Sequence, residues 1–413
     1  MIRGSERARV VASAAVVACA LVFAAPARAD SLAPSAADIT NAEAQARADY
    51  ALLPSLPPVA AGKDVTIRLI AEVKPWTPAP GVTVQAWTYN GTVPGPTIHV
   101  RQGTRVRIIF TNDLPEPTTI HWHGISLPAD MDGVPGMSQP PVQPGQTFVY
   151  SFVVRDAGTY MYHTHVDDLN QLDKGLYGAF IVDPAKPTEH YDHDYLMLLS
   201  SWRVYSDAEN YFSINGLSYP LTRPYVVAEG DHVRIREINI SGTENHAMHI
   251  HGHHFQVVAI DGVDVPPALR QSMDTVALMP GEIRDIALIA NAQPGTWMIH
   301  CHVADHMLNG DVGPGGLITA LQYKEAPDKL TAMATADMMT PMTGGGGDED
   351  EGGSGQGGPP LNQTTTIILG AIAGLTIFFG LPFAAMKKVS QKGIAFLNAV
   401  AIGVLFFLLF DVL

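Results

Sequence analysis

The sequence predicts an all-β protein: two copies of one β-sandwich domain, followed by a helical hairpin that crosses a membrane. Three observations carry this reading. Short alternating strands broken by Gly and Pro begin near residue 62, and no long helical period appears before residue 326. A set of motifs then recurs after roughly 130 residues, too long for a solenoid unit and right for a second sandwich. Finally, two uncharged apolar runs, 367–386 and 393–410, close the chain, each about the 20 residues a bilayer-spanning helix needs.

In chain order, residues 1–29 read as an export signal. Arg3, Arg7 and Arg9 precede an apolar run over 10–25, and Ala27-Arg28-Ala29 stands before Asp30. Cys19 lies in that run and leaves with it, so the mature chain keeps one cysteine, Cys301, and no intrachain disulfide is possible. A lone thiol survives best in an oxidising compartment when a metal holds it. The net charge is −15; the signal carries four Arg and one Glu, so the rest carries −15 − 3 = −18. That balance argues against a nucleic-acid partner and is compatible with cationic substrates.

Residues 30–60 form an Ala- and Pro-rich arm. Alternation over 65–69, over 105–110 and over 147–154 marks strands of the first domain, 61–185. Asp183-Pro184-Ala185-Lys186-Pro187 joins it to the second, 186–325. A linker over 326–363 holds Met333, Met338, Met339 and Met342, then a Gly-rich stretch with the acidic block Asp348-Glu349-Asp350-Glu351. Lys387, Lys388 and Lys392 lie between the apolar runs. They place that loop in the cytoplasm and the sandwich domains on the extracytoplasmic face.

The chemistry converges on Trp297-Met298-Ile299-His300-Cys301-His302, with His306 four positions on. In a strand, successive side chains face opposite ways, so His300 and His302 face one side and Cys301 the other. A thiolate with imidazoles is the ligand set of a blue-copper site, and two imidazoles on the far face suit a nitrogen-only copper site. The repeat supplies more such pairs. Gly103-Thr104-Arg105-Val106-Arg107-Ile108 leads to His121-Trp122-His123-Gly124, as Gly230-Asp231-His232-Val233-Arg234-Ile235 leads to His249-Ile250-His251-Gly252. Pro144-Gly145 leads to His163-Thr164-His165, as Pro280-Gly281 leads to His300-Cys301-His302. One H-x-H pair is weak evidence; four of them, paired across a repeat, are strong. His99, His190, His193, His232, His253 and His254 fall outside the repeat and read as structural.

These four motifs, with His246 and His306, resemble the signature motifs of the multicopper oxidases over residues 62–322, and in particular the two-domain, small-laccase-like type. The resemblance implies cupredoxin domains with Greek-key topology. It implies four coppers per functional site: a type 1 copper on His246, Cys301 and His306, a type 2 copper on His121 and His249, and a type 3 pair on His123, His163, His165, His251, His300 and His302. It implies one-electron oxidation of a substrate at type 1 copper and four-electron reduction of O2 to water at the trinuclear cluster. Asp132 and Asp305 stand where such enzymes keep acidic residues for proton transfer, or they orient histidines.

Aligning the repeats places Thr164 opposite Cys301, Thr118 opposite His246 and Leu169 opposite His306, so the first domain lacks a type 1 site. Five residues after His306, where relatives carry Met, Leu or Phe, this chain has Asp311, which leaves the axial ligand and the potential open.

Several substrates compete. Glu244 beside His246, the Met cluster and the tether favour a metal ion such as Cu(I), Fe(II) or Mn(II). A laccase-like oxidation of phenols is the alternative. The C-terminal runs faintly resemble the first helices of ZIP-type metal permeases, which would make the chain a sensing or loading module of a metal transporter. Resemblance to copper nitrite reductases would imply type 1 ligands in the first domain and no type 3 pair, and this sequence meets neither expectation. With no spacer between the domains, ligand-bearing edges meet by pairing domain one of each chain with domain two of a neighbour. Closing that heterologous contact gives a homotrimer with interchain clusters.

Overall fold

The computed structural model describes residues 55–187, 189–327, 329, 330 and 332. The stretch read as an export signal, the four methionines, the acidic linker and both apolar runs lie outside the described residues. Among the described residues, no helix is long and apolar enough to cross a membrane.

Alternating burial sets the first eight strands: β1 (Asp64–Ala79), β2 (Val82–Tyr89), β3 (Ile98–Arg101), β4 (Arg105–Asn112), β5 (His121–His123), β6 (Thr147–Val153), β7 (Gly158–His163) and β8 (Tyr177–Asp183). In β4 the buried residues Val106, Ile108 and Phe110 alternate with Arg105, Arg107 and Ile109, so one face enters the core. These strands form two four-stranded sheets, ordered β2-β1-β4-β6 and β3-β8-β7-β5. Trp122, Tyr150, Tyr162 and Phe180 fill the space between them. A short helix, α1 (Asp168–Leu172), links β7 to β8.

The second half repeats the plan with twelve strands. They are β9 (His193–Trp202), β10 (Tyr211–Ile214), β11 (Tyr225–Val227), β12 (His232–Asn239), β13 (His246–Ile250), β14 (Phe255–Ile260), β15 (Val263–Asp264), β16 (Ser272–Met273), β17 (Thr275–Leu278), β18 (Ile283–Ile289), β19 (Thr296–Cys301) and β20 (Ile318–Tyr323). The sheet orders are β10-β9-β12-β18-β14-β15 and β11-β20-β19-β13-β17. Strand for strand, β2-β1-β4-β6 becomes β10-β9-β12-β18, and β3-β8-β7-β5 becomes β11-β20-β19-β13. The H-x-H pairs therefore lie on, or at the ends of, the same two neighbouring strands in each copy.

The two sandwiches share a buried seam. Met161, Tyr177, Ala179 and Ile181 of the first pack with Leu196, Leu198, Ile238 and Ile283 of the second in one apolar cluster. A polar knot lies beside it. Arg236, 2 % exposed, pairs with Asp194 at 2.8 Å and Asp285 at 3.3 Å, and its Nη1 donates to Thr159 of the first sandwich at 2.5 Å. Thr159 donates in turn to Asp285 at 2.9 Å. Buried charges without partners cost several kcal/mol, so breaking this knot is expensive. A Cβ on Gly158 would stand 2.5 Å from the carbonyl oxygen of Gly262, so the two backbones touch there. The seam fixes one sandwich against the other.

Candidate metal centres

Cys301 points into the core of the second sandwich, while His300 faces the other way among His249, His251 and His302. The strand thus presents two faces, as pleating requires. On the Cys301 face, the Nδ1 atoms of His246 and His306 lie 3.0 Å apart, and Cys301 Sγ lies 3.7 Å from His306 Nδ1. All three residues are buried.

Their outer atoms decide which nitrogen is free. His306 Nε2 lies 3.5 Å from Glu244 Oε2, a carboxylate that only accepts, and His246 Nε2 meets the Ser241 hydroxyl at 2.8 Å. The carboxylate favours the His306 proton on Nε2, the Ser241 hydroxyl can donate or accept, and both rings turn Nδ1 to the common point. Burial, then the neighbouring His306, pushes His246 down to about 3. Burial also lowers His306 and raises the Cys301 thiol. The Ala247 amide donates to Sγ at 3.5 Å. Two neutral imidazoles and a buried thiol converging on one point fit a soft cation that displaces the thiol proton, and copper is such a cation. Phe212 covers the site, its ring 4.0 Å from that of His306. Asp311 is exposed and its charge acts on Tyr211, while Met307 packs against the cluster around Tyr219 and Ile318.

The other histidines form two groups. His121, His123, His163 and His165 meet one another in the first sandwich, and His249, His251, His300 and His302 in the second. Among the described residues no ring contact joins the groups. His123 instead lies 3.4 Å from where a Cβ on Gly281 would stand, in the turn after β17. That turn adjoins the His246 end of β13, since Leu278 pairs with His246 and Thr275 with His249. His251 and His302 are exposed.

Backbone carbonyls fix several of these rings. His121 Nδ1 meets Asp132 O at 2.9 Å, His163 Nδ1 meets Thr164 O at 2.6 Å, His249 Nδ1 meets Asp274 O at 2.8 Å and His300 Nδ1 meets Cys301 O at 2.9 Å. A carbonyl only accepts, so each Nδ1 carries the proton and each Nε2 offers a lone pair. Burial, then the charge of His121, depresses His163 to about 3. Burial likewise lowers His123, His251 and His300. Neutral imidazoles are the form that binds a metal.

The chain's matches fit this chemistry. Models of the family described as multicopper oxidase match residues 71–187 and 196–314. A multicopper oxidase structure titled mgLAC is 35 % identical, covers 64 % of this chain and 88 % of its own, and superposes with a TM-score of 0.62. This chain belongs to the multicopper oxidase family. The blue copper oxidase structure from Nitrosomonas europaea is 32 % identical with a TM-score of 0.60, over 66 % of this chain and 95 % of that one. Among curated relatives, copper resistance protein A of Escherichia coli is 45 % identical over 119 residues, 29 % of this chain and 19 % of that protein. A probable nitrite reductase–hydroxylamine oxidoreductase fusion protein of Kuenenia stuttgartiensis is 32 % identical over 279 residues, 61 % of this chain and 31 % of its own length. The chain thus spans a third or less of these two curated relatives.

Of the acidic residues, Asp132 approaches His121, its Oδ1 3.3 Å from Nδ1. Asp305 is exposed, and its charge acts on His306. One expectation needs correction. The first domain's counterpart of His306 is Gln171, not Leu169. The Gln171 carbonyl accepts from Thr118 at 2.9 Å and from Thr164 at 2.5 Å, so a neutral hydrogen-bonded triad fills the space a type 1 copper would take. Five-residue α1 replaces the four-residue 3-10 turn Ala304–Met307 and shifts the register by two; Leu169 instead reaches outward to Gly242. Sequence reasoning missed Gln171 because the shift is invisible without geometry. It also missed Asp168, whose Oδ2 lies 3.5 Å from His165 Nδ1, and Asp274 beside His249.

Proposed function

We propose that this member of the multicopper oxidase family is an oxygen-dependent metallo-oxidase whose reducing substrate is a metal ion such as Cu(I), Fe(II) or Mn(II). The single observation that carries the substrate class is Glu244. Its part-exposed carboxylate stands 3.5 Å from His306 Nε2, giving a cation a negative landing point in contact with a type 1 ligand. Asp173 and Glu209 approach Gly242, next to the Ser241 that holds His246, and Arg203 pairs with Asp173 at 2.7 Å. Burial, then the charge of Glu209, raises Asp173 to about 7.

His246, Cys301 and His306 would hold the type 1 copper. His121 and His249 would hold the type 2 copper, and His123, His163, His165, His251, His300 and His302 the type 3 pair. Copper in these sites supplies one-electron oxidation of the substrate and four-electron reduction of dioxygen to water. The protein's contribution is to aim the rings: backbone carbonyls hold Nδ1 of His121, His163, His249 and His300 and leave Nε2 to face a metal. Cys301 is bonded on either side to His300 and His302, so the two faces are joined by a run of covalent bonds. Asp132, 3.3 Å from His121, is placed to hold or pass a proton beside the type 2 ligands.

The half-sites support an assembly in which domain one of each chain faces domain two of the next, closing as a homotrimer. The stiff interdomain seam and the exposed His251 and His302 favour completion by a neighbour. Export to the outer face of a membrane, with residues 367–410 as its anchor, is part of this reading and rests on the sequence alone.

The test is oxygen uptake by one copper-loaded preparation with Cu(I), Fe(II), Mn(II) and a phenol. A metal ion should give the highest kcat/KM, and Glu244→Gln should lower it for the ion while sparing the phenol. A preference for the phenol unaffected by Glu244→Gln would establish the laccase reading instead.

A further inference from the structure

We propose that Asp168 is the positioning residue for His165: its carboxylate keeps the ring proton on Nδ1 and so presents Nε2 as the metal-facing atom. The proposal rests on reading the first domain's histidines as copper ligands.

Two patterns lead to it. The first is the repeat. His163-Thr164-His165-Val166-Asp167-Asp168 and His300-Cys301-His302-Val303-Ala304-Asp305 are the same H-x-H-Val-x-Asp sequence, one in each sandwich. The two aspartates do not serve alike. Asp305 is exposed and acts on His306, a residue the first domain has lost. Asp168 is left with the histidine three positions before it.

The second pattern is the ring partners. His121, His163, His249 and His300 each commit Nδ1 to a backbone carbonyl. The partner the structure gives His165 is a side chain instead, Asp168, with Oδ2 3.5 Å from Nδ1. That is slightly longer than a hydrogen bond and within reach of one after a small movement.

The local backbone brings the carboxylate there. Asp167 adopts the left-handed conformation, φ 48° and ψ 56°, which turns the chain back so that Asp168 opens α1 beneath His165. A non-glycine residue there costs about 1 kcal/mol or more, and such strain gathers at sites where a side chain must be aimed. The other carboxylate oxygen, Oδ1, is buried with no hydrogen-bond partner, so Asp168 is not held by α1 through it. His121 and His165 sit with ring centroids 5.4 Å apart, and the charges of both act on Asp168.

The experiment uses the full chain, with its histidines labelled with 15N, and its variants Asp168→Ala and Asp168→Asn. In the metal-free protein, nitrogen chemical shifts report which His165 nitrogen carries the proton, with assignment by loss of the signal in His165→Gln. Wild type should show the Nδ1–H form. Asp168→Ala should show a mixture or the Nε2–H form, and Asp168→Asn, which keeps an acceptor oxygen, should stay near wild type. Copper titrated against a chelator should bind roughly 10–100-fold more weakly to the first domain's site in Asp168→Ala, while the blue band of the Cys301 site is retained. An unchanged tautomer, or wild-type copper affinity, in Asp168→Ala overturns the proposal. So does loss of the blue band in that variant, which would mean the substitution acts through the fold. If wild type itself binds no copper beyond the Cys301 site, the cluster reading fails while the tautomer result still judges Asp168.

Discussion

Cys301 is the residue on which both faces of β19 depend. Cys301→Ser should abolish the intense copper–thiolate colour and leave copper on the histidine groups; retention of the colour would remove Cys301 from the type 1 site. Glu237 makes a different test. It is fully buried in β12, neither carboxylate oxygen has a hydrogen-bond partner among the described residues, and burial, then Asp285, raises it from 4.5 to about 8. An acid whose folded pKa is raised gives stability that is full below 4.5 and is lost as pH rises through 8. The loss is on the order of several kcal/mol. The buried histidines whose pKa is lowered gain stability over part of the same window, so the test is a difference. In urea unfolding of the metal-free chain, wild type should lose stability relative to Glu237→Gln between pH 5 and pH 8; parallel profiles would show that Glu237 ionises freely. At this scale the sequence exposes ligands well, because H-x-H on a strand has one geometric meaning. It conceals Gln171, since the slightly longer helix moves the register by two residues, and it conceals Glu237, since a lone acid in an alternating strand looks like a surface residue.

Among elements, the loops after β5 and β7 do the aiming. Gly133 crosses β5 so closely that a Cβ there would fall 1.9 Å from the carbonyl oxygen of Ile120, and its φ of 84° suits glycine. Gly133→Ala must therefore push Asp132 off His121. Copper retention on dialysis against a chelator should fall while the blue band stays; unchanged retention would mean Asp132 does not support His121. The alternation that marks 65–69 shows only part of β1, which runs to Ala79. β1 pairs with β4 over its first half and with β2 over its second, where Pro75 and a bulge between Trp76 and Ala79 break the pattern. A strand that changes partners loses its simple period, so its length was not legible.

For the whole molecule, the repeat made the doubled sandwich readable, because two copies of the same motifs demand two copies of the same strands. The seam was not readable, since Thr159, Arg236 and Asp285 are scattered in sequence and become a knot only when the sandwiches dock. Among the described residues no ring contact joins the two histidine groups within one chain, and in the proposed assembly a neighbour completes the trinuclear site. The most direct measurement mixes a His121→Ala/His123→Ala chain with a His300→Ala/His302→Ala chain, each inactive alone, and follows oxygen uptake after the mixed oligomer is verified by mass. Some interfaces in the mixture pair an intact domain one with an intact domain two. The proposed assembly predicts that part of the activity returns; no recovery in verified mixed oligomers, or a fully active wild-type monomer, would contradict it.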